Sequence, residues 1–315
     1  MAPTAVAPIP RLIYGTAWKK SQTAPLVVSA LSAGFRALDT AASHHYFEEG
    51  VGAGLRTWLS AQSPGGHAIP RSSLYIQTKF SPSPSNLPIP DQVHSSIASS
   101  FRNLSVPKHL FASEAPSSEA AAKDPSVASE EDPDDFYLDC VLLHAPYPSY
   151  SDTLLAWRAL ESYVPHRIRT LGISNVDLAE LRDLCNDAAV KPVVVQNRLN
   201  PKEAYNTPVR VFCRDRGINF QSFWTLTANP PLVKSDVVGS VAAGAGVSNE
   251  VAMYGLVLGL GGVSVLDGTT NEVRMKEDLE GVEKVAAWAE GDGANVWHES
   301  LTALKAILGD TEEGA

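Results

Sequence analysis

At residues 137–144 the chain reads YLDCVLLH, an apolar run of strand length that ends in a titratable side chain, His144. Runs of the same kind recur outward from it at 12–15, 37–39 and 74–79 on one side, and at 169–174, 193–197, 218–223 and 263–267 on the other. That makes eight, and each is followed by a longer segment with helical spacing and helix punctuation. Pro25 opens a run that stops at Gly34, Thr207-Pro208 one that stops at Gly217, Ser248 another, and Asn271 starts an amphipathic stretch to Trp288. Eight strand–helix units in a chain of 315 residues match a closed parallel barrel, typically ~250 residues, better than an open doubly wound sheet. The expected fold class is therefore α/β, a (β/α)8 TIM barrel forming a single domain over 1–315. No glycine-rich dinucleotide fingerprint follows the first strand, and Gly259, Gly261 and Gly262 precede a strand and read as the end of a helix.

One segment departs from globular composition. Residues 113–135, SEAPSSEAAAKDPSVASEEDPDD, contain no aromatic, one Val, eight acids and a single base, so a net charge of -7 here accounts for most of the chain's -10. They read as a disordered acidic insertion. Because the insertion precedes a strand, it is expected on the face away from the chemistry.

Composition excludes several classes. With 44% hydrophobic and 19% charged residues the chain is not disordered throughout. Its 25 Lys+Arg against 35 Asp+Glu form no basic patch, so a nucleic acid is not an expected partner. The longest nearly uncharged apolar stretch, 255–266, falls short of the ~20 residues that cross a bilayer, and no membrane partner is expected. The start, MAPTAVAPIPRL, has no basic segment leading into a long apolar core, and Cys140, Cys185 and Cys213 are odd in number and widely spaced. Both features point to the cytoplasm.

In a barrel of this kind catalytic groups project from the C-terminal strand ends. Those positions offer Gly15-Thr16, Asp39, Lys79, His144, Ser174-Asn175, Gln196-Asn197, Phe223-Trp224 and Gly268-Thr269. Taken singly each has a bland reading: Asp39 as a helix N-cap, Lys79 as a surface charge, His144 as a hydrogen-bonded core histidine. Jointly, charges that close apolar runs such as FRALD, LYIQTK and LDCVLLH converge on one rim, where they can pair with one another.

Five motifs in order, LDTAASHHYFEEGVGAGL with Asp39 and Tyr46, IQTK with Lys79, LLHAP with His144, LGISN with Ser174 and Asn175, and VVVQNR with Gln196, resemble the aldo-keto reductase family. The likeness spans essentially the whole chain, and HHYFEEGVG, SFWTLTANP and GTTNEVRMKEDL resemble a fungal branch. The resemblance implies a barrel that binds an extended nicotinamide cofactor and reduces aldehydes or ketones to alcohols. The partners it implies are a small-molecule carbonyl substrate and at most a weak homodimer.

Carbonyl reduction needs a hydride at carbon and a proton at oxygen. The resemblance makes Tyr46 the general acid, Lys79 its electrostatic neighbour, Asp39 the group that aims Lys79, and His144 the group that orients the carbonyl. A lysine ammonium ~4 Å away would stabilise a phenolate by ~4 kcal/mol at an effective dielectric of ~20, at most ~3 pKa units. Asp39 and Tyr46 are seven positions apart where the commonest family spacing is five, so His44 and His45 compete for the acid's register. Tyr46 is preferred because Glu48 and Val51-Gly52 align with it if the extra residues bulge out. The resemblance also assigns the nicotinamide carboxamide to Ser174, Asn175 and Gln196, and the stacking face to Phe223 with Trp224 beside it. Gly15, Thr16, Thr225 and Leu226 join the cofactor set, and Trp18 and His45 line the substrate mouth. Gly268-Thr269 stand where the family often has a Lys-Ser pair on the ribose 2′-phosphate, whereas Arg274 matches the arginine that pairs with that phosphate and Glu277 and Asp278 match adenine contacts. The expected cofactor is NADPH, with NADH as the alternative.

Two further expectations concern loops. Residues 225–246 follow the seventh strand, open onto the catalytic face and are rich in small side chains, as in a movable cover. The tail after Trp288 reads as short and without aromatic anchors. Two other functions compete: a catalytically weak, cofactor-binding barrel with a regulatory or interaction role, and metal-dependent chemistry on Asp39, His44, His45 and His144. The second is disfavoured because adjacent histidines rarely face one site and the Lys79 ammonium would repel the ion, so no metal is expected.

Overall fold

The computed structural model describes residues 9–62, 68–112 and 136–310; the acidic segment 113–135 lies outside the described residues. Eight strands, β1 (Leu12–Gly15), β2 (Ala37–Asp39), β3 (Tyr75–Phe80), β4 (Leu138–Leu143), β5 (Ile168–Ser174), β6 (Val194–Arg198), β7 (Asn219–Phe223) and β8 (Val263–Asp267), pair in chain order. All pairings are parallel and β8 closes on β1, so the molecule is the closed α/β barrel expected. Strand bounds differ from the sequence reading by a residue at several ends: β3 runs one residue past Lys79, and β4 stops before His144.

Among the described residues, eleven α-helices surround and follow the strands: α1 (Thr23–Ala33), α2 (Glu48–Gln62), α3 (Ile89–Leu104), α4 (Tyr150–Glu161), α5 (Leu178–Asp187), α6 (Thr207–Asp215), α7 (Pro230–Val233), α8 (Asp236–Ala245), α9 (Asn249–Leu258), α10 (Glu272–Glu290) and α11 (Ala294–Leu308). Their starts follow from side-chain chemistry. Ser235, Ser248 and Asn271 accept from the first free backbone N–H groups, and Asp177 with Glu180 forms a reciprocal capping box.

Two apolar layers result. Ile13, Ala37, Tyr75, Cys140, Leu142 and Val194 form a small cluster of their own on five of the strands, while a much larger core fills the space between strands and helices. Helix α2 sits close to both neighbours because its glycines leave room. A Cβ on Gly52 would fall 1.9 Å from the Asn103 carbonyl oxygen of α3, and one on Gly54 would fall 2.8 Å from the Ala24 carbonyl oxygen of α1.

Two loop expectations are corrected. Residues 230–245 are not a loose cover: they form α7 and α8, and Gly244 lies so close to Trp288 that a Cβ would meet its ring at 2.3 Å. Gly244 serves helix packing, and Thr225 and Leu226 at the start of the segment line the cleft. The tail beyond Trp288 carries α11, whose Trp297 packs against Gly259, and Arg210 holds Asp310 just beyond it in a buried ion pair at 3.0 Å. No single described helix is long and apolar enough to cross a membrane.

Candidate active site

The C-terminal rim opens into a cleft of about 720 Å³ that runs from Asp39, Tyr46 and His144 past Phe223 and Trp224 to Arg274, Glu277 and Asp278. At its base Lys79 is fully enclosed. Its Nζ donates to both carboxylate oxygens of Asp39 at 2.6 and 2.7 Å and to the Thr40 carbonyl at 2.9 Å. A buried charge pair is tolerable only when its remaining hydrogen-bonding capacity is met. Here Asp39 Oδ1 accepts two further N–H groups, from Gln77 at 2.6 Å and Gln196 at 3.0 Å. Register explains the meeting, since Asp39 lies opposite Gln77 and Gln196 opposite Gln221 across their strand pairs. Gln77 and Gln221 exchange hydrogen bonds at 2.8 and 2.9 Å, completing an amide cluster beneath the ion pair.

Tyr46 lies directly over this pair, with Lys79 Nζ 4.9 Å from its ring centre, and the ring meets His144 edge-on at a centroid distance of 6.0 Å. The structure therefore brings Asp39, Tyr46, Lys79 and His144 together and gives the register beside Lys79 to Tyr46. His45, which lines the cleft, instead lies tilted against Trp18 at a centroid distance of 3.8 Å, with His44 tilted against it in turn at 3.6 Å. Among the described residues no three His, Cys, Asp or Glu side chains gather as metal ligands would.

Electrostatics depart from the sequence estimate in one respect. Burial raises the Tyr46 phenol above its ordinary value; Lys79 pulls it back down and Asp39 pushes it up again, so the lysine offsets the cost of burial without reversing it. Lys79 is held above the usual lysine range, because Asp39 and Tyr46 outweigh its burial, and it is an ammonium. His144 is pushed down to about 4 by burial and then by Lys79, which leaves a neutral imidazole at neutral pH.

The amide set is more committed than its residue types suggest. Both hydrogens of Gln196 Nε2 go to Asp39 and Gln221, both of Asn175 Nδ2 go to the His144 carbonyl and Ser174 Oγ, and the Ser174 hydroxyl donates to the Gln196 carbonyl. What they leave open toward the cleft are acceptors, chiefly Gln196 Oε1. Trp18, Asn175 and Trp224 all stand on left-handed backbone, with φ of 64°, 55° and 58°. Such strain in non-glycine residues is concentrated at functional rims.

Of the other expected residues, Gly15, Trp18, Phe223, Trp224, Thr225, Leu226, Gly268, Thr269, Arg274, Glu277 and Asp278 line the cleft. Thr16 does not: it is fully buried, and its hydroxyl donates to the Asp39 carbonyl, tying β1 to β2. Sequence reasoning missed several neighbours. Arg198 projects into the cleft with its guanidinium 5.3 Å from the Phe223 ring and 4.9 Å from the Trp224 ring. Lys19 reaches across to the Gly268 carbonyl. Tyr254, Glu250 and Asp267 join the far end, where burial and then the Asp267 charge push Asp278 up to about 8. Gln77 and Gln221 carried a signal that went unread, since an amide inside a short apolar strand needs a partner.

The model of the Aldo/keto reductase family matches residues 11–240, and the chain belongs to that family. Glyoxal reductase of Bacillus subtilis is 28% identical over 218 residues, covering 69% of this chain and 62% of its own. Glycerol 2-dehydrogenase (NADP(+)) of Hypocrea jecorina is 32% identical over 218 residues, covering 67% and 63%. The match thus spans less than two thirds of the length of either relative. Among solved structures, an aldo/keto reductase from Brucella melitensis superposes with a TM-score of 0.64 at 22% identity, over 89% of this chain and 95% of that one. A mutant of Gox0644, solved in complex with NADPH, gives 0.63 at 21% identity over 90% and 89%.

Proposed function

We propose that this protein reduces small aldehydes or ketones to alcohols with NADPH, Tyr46 supplying the proton. The observation that carries the reading is the Asp39–Lys79 ion pair, buried beneath Tyr46 and His144 at the base of an open cleft. A carbonyl oxygen between Tyr46 and His144 would accept from the phenol and from the neutral imidazole. As the oxygen gains charge the phenol proton moves to it, and the Lys79 ammonium stabilises the phenolate left behind. Asp39 keeps Lys79 charged and aimed.

The donor set fits a nicotinamide dinucleotide. Phe223 offers a flat apolar face, Gln196 Oε1 an acceptor for a carboxamide N–H, and Arg274 a guanidinium suited to a 2′-phosphate at the far end of the same cleft. When bound, that group supplies the hydride. Two names among the relatives, glyoxal reductase and glycerol 2-dehydrogenase (NADP(+)), agree with this substrate class and cofactor.

The test compares wild type with Tyr46→Phe, following NADPH oxidation with a reactive aromatic aldehyde and NADPH binding by fluorescence. The expected result is turnover by wild type and a loss of ~10²-fold or more in the variant, with cofactor affinity kept. Full activity in Tyr46→Phe would remove Tyr46 as the acid. Tight NADPH binding without turnover by wild type would turn the reading into that of a cofactor-binding barrel.

A further inference from the structure

We propose that Ser81 fixes the ring tautomer of His144, so that Nε2 carries the hydrogen presented to the carbonyl oxygen. The proposal rests on the carbonyl-reducing reading of this cleft. Ser81 is the first residue beyond β3 and His144 the first beyond β4. The His144 backbone N–H donates to the Phe80 carbonyl at 2.8 Å, which sets the two strand ends in step. On the other side Asn175 Nδ2 donates to the His144 carbonyl at 2.8 Å. With its backbone clamped from both sides, His144 places Nδ1 2.6 Å from Ser81 Oγ, leaving Nε2 as the ring nitrogen free for the cleft.

A neutral imidazole has one N–H, and the partner of one nitrogen decides where it sits. Nδ1 is the one partner Ser81 Oγ has among the described residues, and with the hydroxyl donating to it, as proposed here, the ring hydrogen sits on Nε2. The opposite arrangement would turn a bare nitrogen lone pair toward the carbonyl oxygen, which repels it and gains nothing as charge develops. Ser81 touches neither substrate nor cofactor in this scheme; it is a positioning residue that acts through His144. No charge is involved, so the hydroxyl selects the tautomer without turning the imidazole into a cation beside Lys79.

The test reads the ring directly. In the full-length ¹⁵N-labelled protein at neutral pH, long-range ¹H–¹⁵N correlation spectra, with His144→Gln for assignment, are expected to show Nε2 protonated and Nδ1 bare. Ser81→Ala is expected to move the ring toward the other tautomer and Ser81→Thr to restore it. With NADPH and an aromatic aldehyde, Ser81→Ala should lower kcat on the order of tenfold with KM within about twofold, a smaller loss than the ~10²-fold of deleting a donor outright. A wild-type ring protonated on Nδ1 overturns the proposal, as do unchanged ring shifts in Ser81→Ala. Equal kcat losses in the Ala and Thr variants overturn it too, since a hydroxyl at this position would then be irrelevant. Wild-type protein that shows the expected tautomer but reduces no aldehyde overturns the carbonyl-reducing reading and leaves the Ser81–His144 assignment standing.

Discussion

At the scale of single residues the cleft is a set of buried charges whose costs are met locally, and its consequences are measurable in stability as well as in turnover. Lys79 and Asp39 are buried together, so removing one leaves the other uncompensated. Lys79→Met is expected to destabilise the fold by about 3–5 kcal/mol, read from urea unfolding, besides abolishing reduction. His144 leaves a pH signature of its own. Its folded value of about 4 lies below the ordinary 6.5, so between those limits the unfolded chain binds the extra proton. Stability associated with this residue is full above about pH 6.5 and is lost as pH falls toward 4, by at most about 3 kcal/mol. A His144→Gln variant should show a flatter stability profile across that window; an unchanged profile would mean that His144 is charged at no cost in the folded state.

Among elements, α2 decides where Tyr46 stands, because the residues between β2 and α2 must bring the phenol over Lys79 despite their extra length. The helix docks tightly through Gly52, whose position leaves no room for a methyl group against the Asn103 carbonyl. Gly52→Ala is expected to cost about 1–3 kcal/mol by overpacking and to lower kcat by displacing Tyr46. Thermal unfolding and steady-state kinetics on one preparation check both effects. The same element shows how far sequence reading reaches. Strands, caps and the order of polar strand ends were legible because they depend on local pattern and punctuation. The place of Tyr46 was open between three neighbouring side chains, because a loop's bulge is decided by what it packs on, here the contact of His45 with Trp18. The tail read as short because its anchor is tertiary: Gly293 leaves room for the Trp288 ring, and the chain then resumes as α11. Thr16 stands just past the first strand's end yet is buried, since its hydroxyl is spent on the Asp39 carbonyl, a pairing only the neighbouring strand reveals.

For the molecule as a whole, α11 packs on α8, α9 and α10 in the helical layer, and none of its residues lines the cleft. Asp310, just past α11, is held by the buried Arg210 at 3.0 Å and by Arg214 at 3.3 Å. Asp310→Ala strands the Arg210 guanidinium and is expected to lower stability by about 3 kcal/mol or more in chemical denaturation. Aldehyde reduction measured below the unfolding transition should change little, since neither arginine lines the cleft.

Asp39 has a wider consequence. Its carboxylate takes hydrogens from side chains of β3 and β6, and the Gln77–Gln221 exchange carries the connection on to β7. Opposite walls are thus knotted at one atom cluster, which is also the one that holds Lys79 under Tyr46, the proposed acid. On the proposed function, turnover becomes a gauge of closure: a barrel that loosens between any two of these walls is expected to lose the proposed donor's support before it loses its helices. In a denaturant series turnover should fade ahead of the far-ultraviolet dichroism, so a simple activity assay would count the molecules whose ring of strands is still shut.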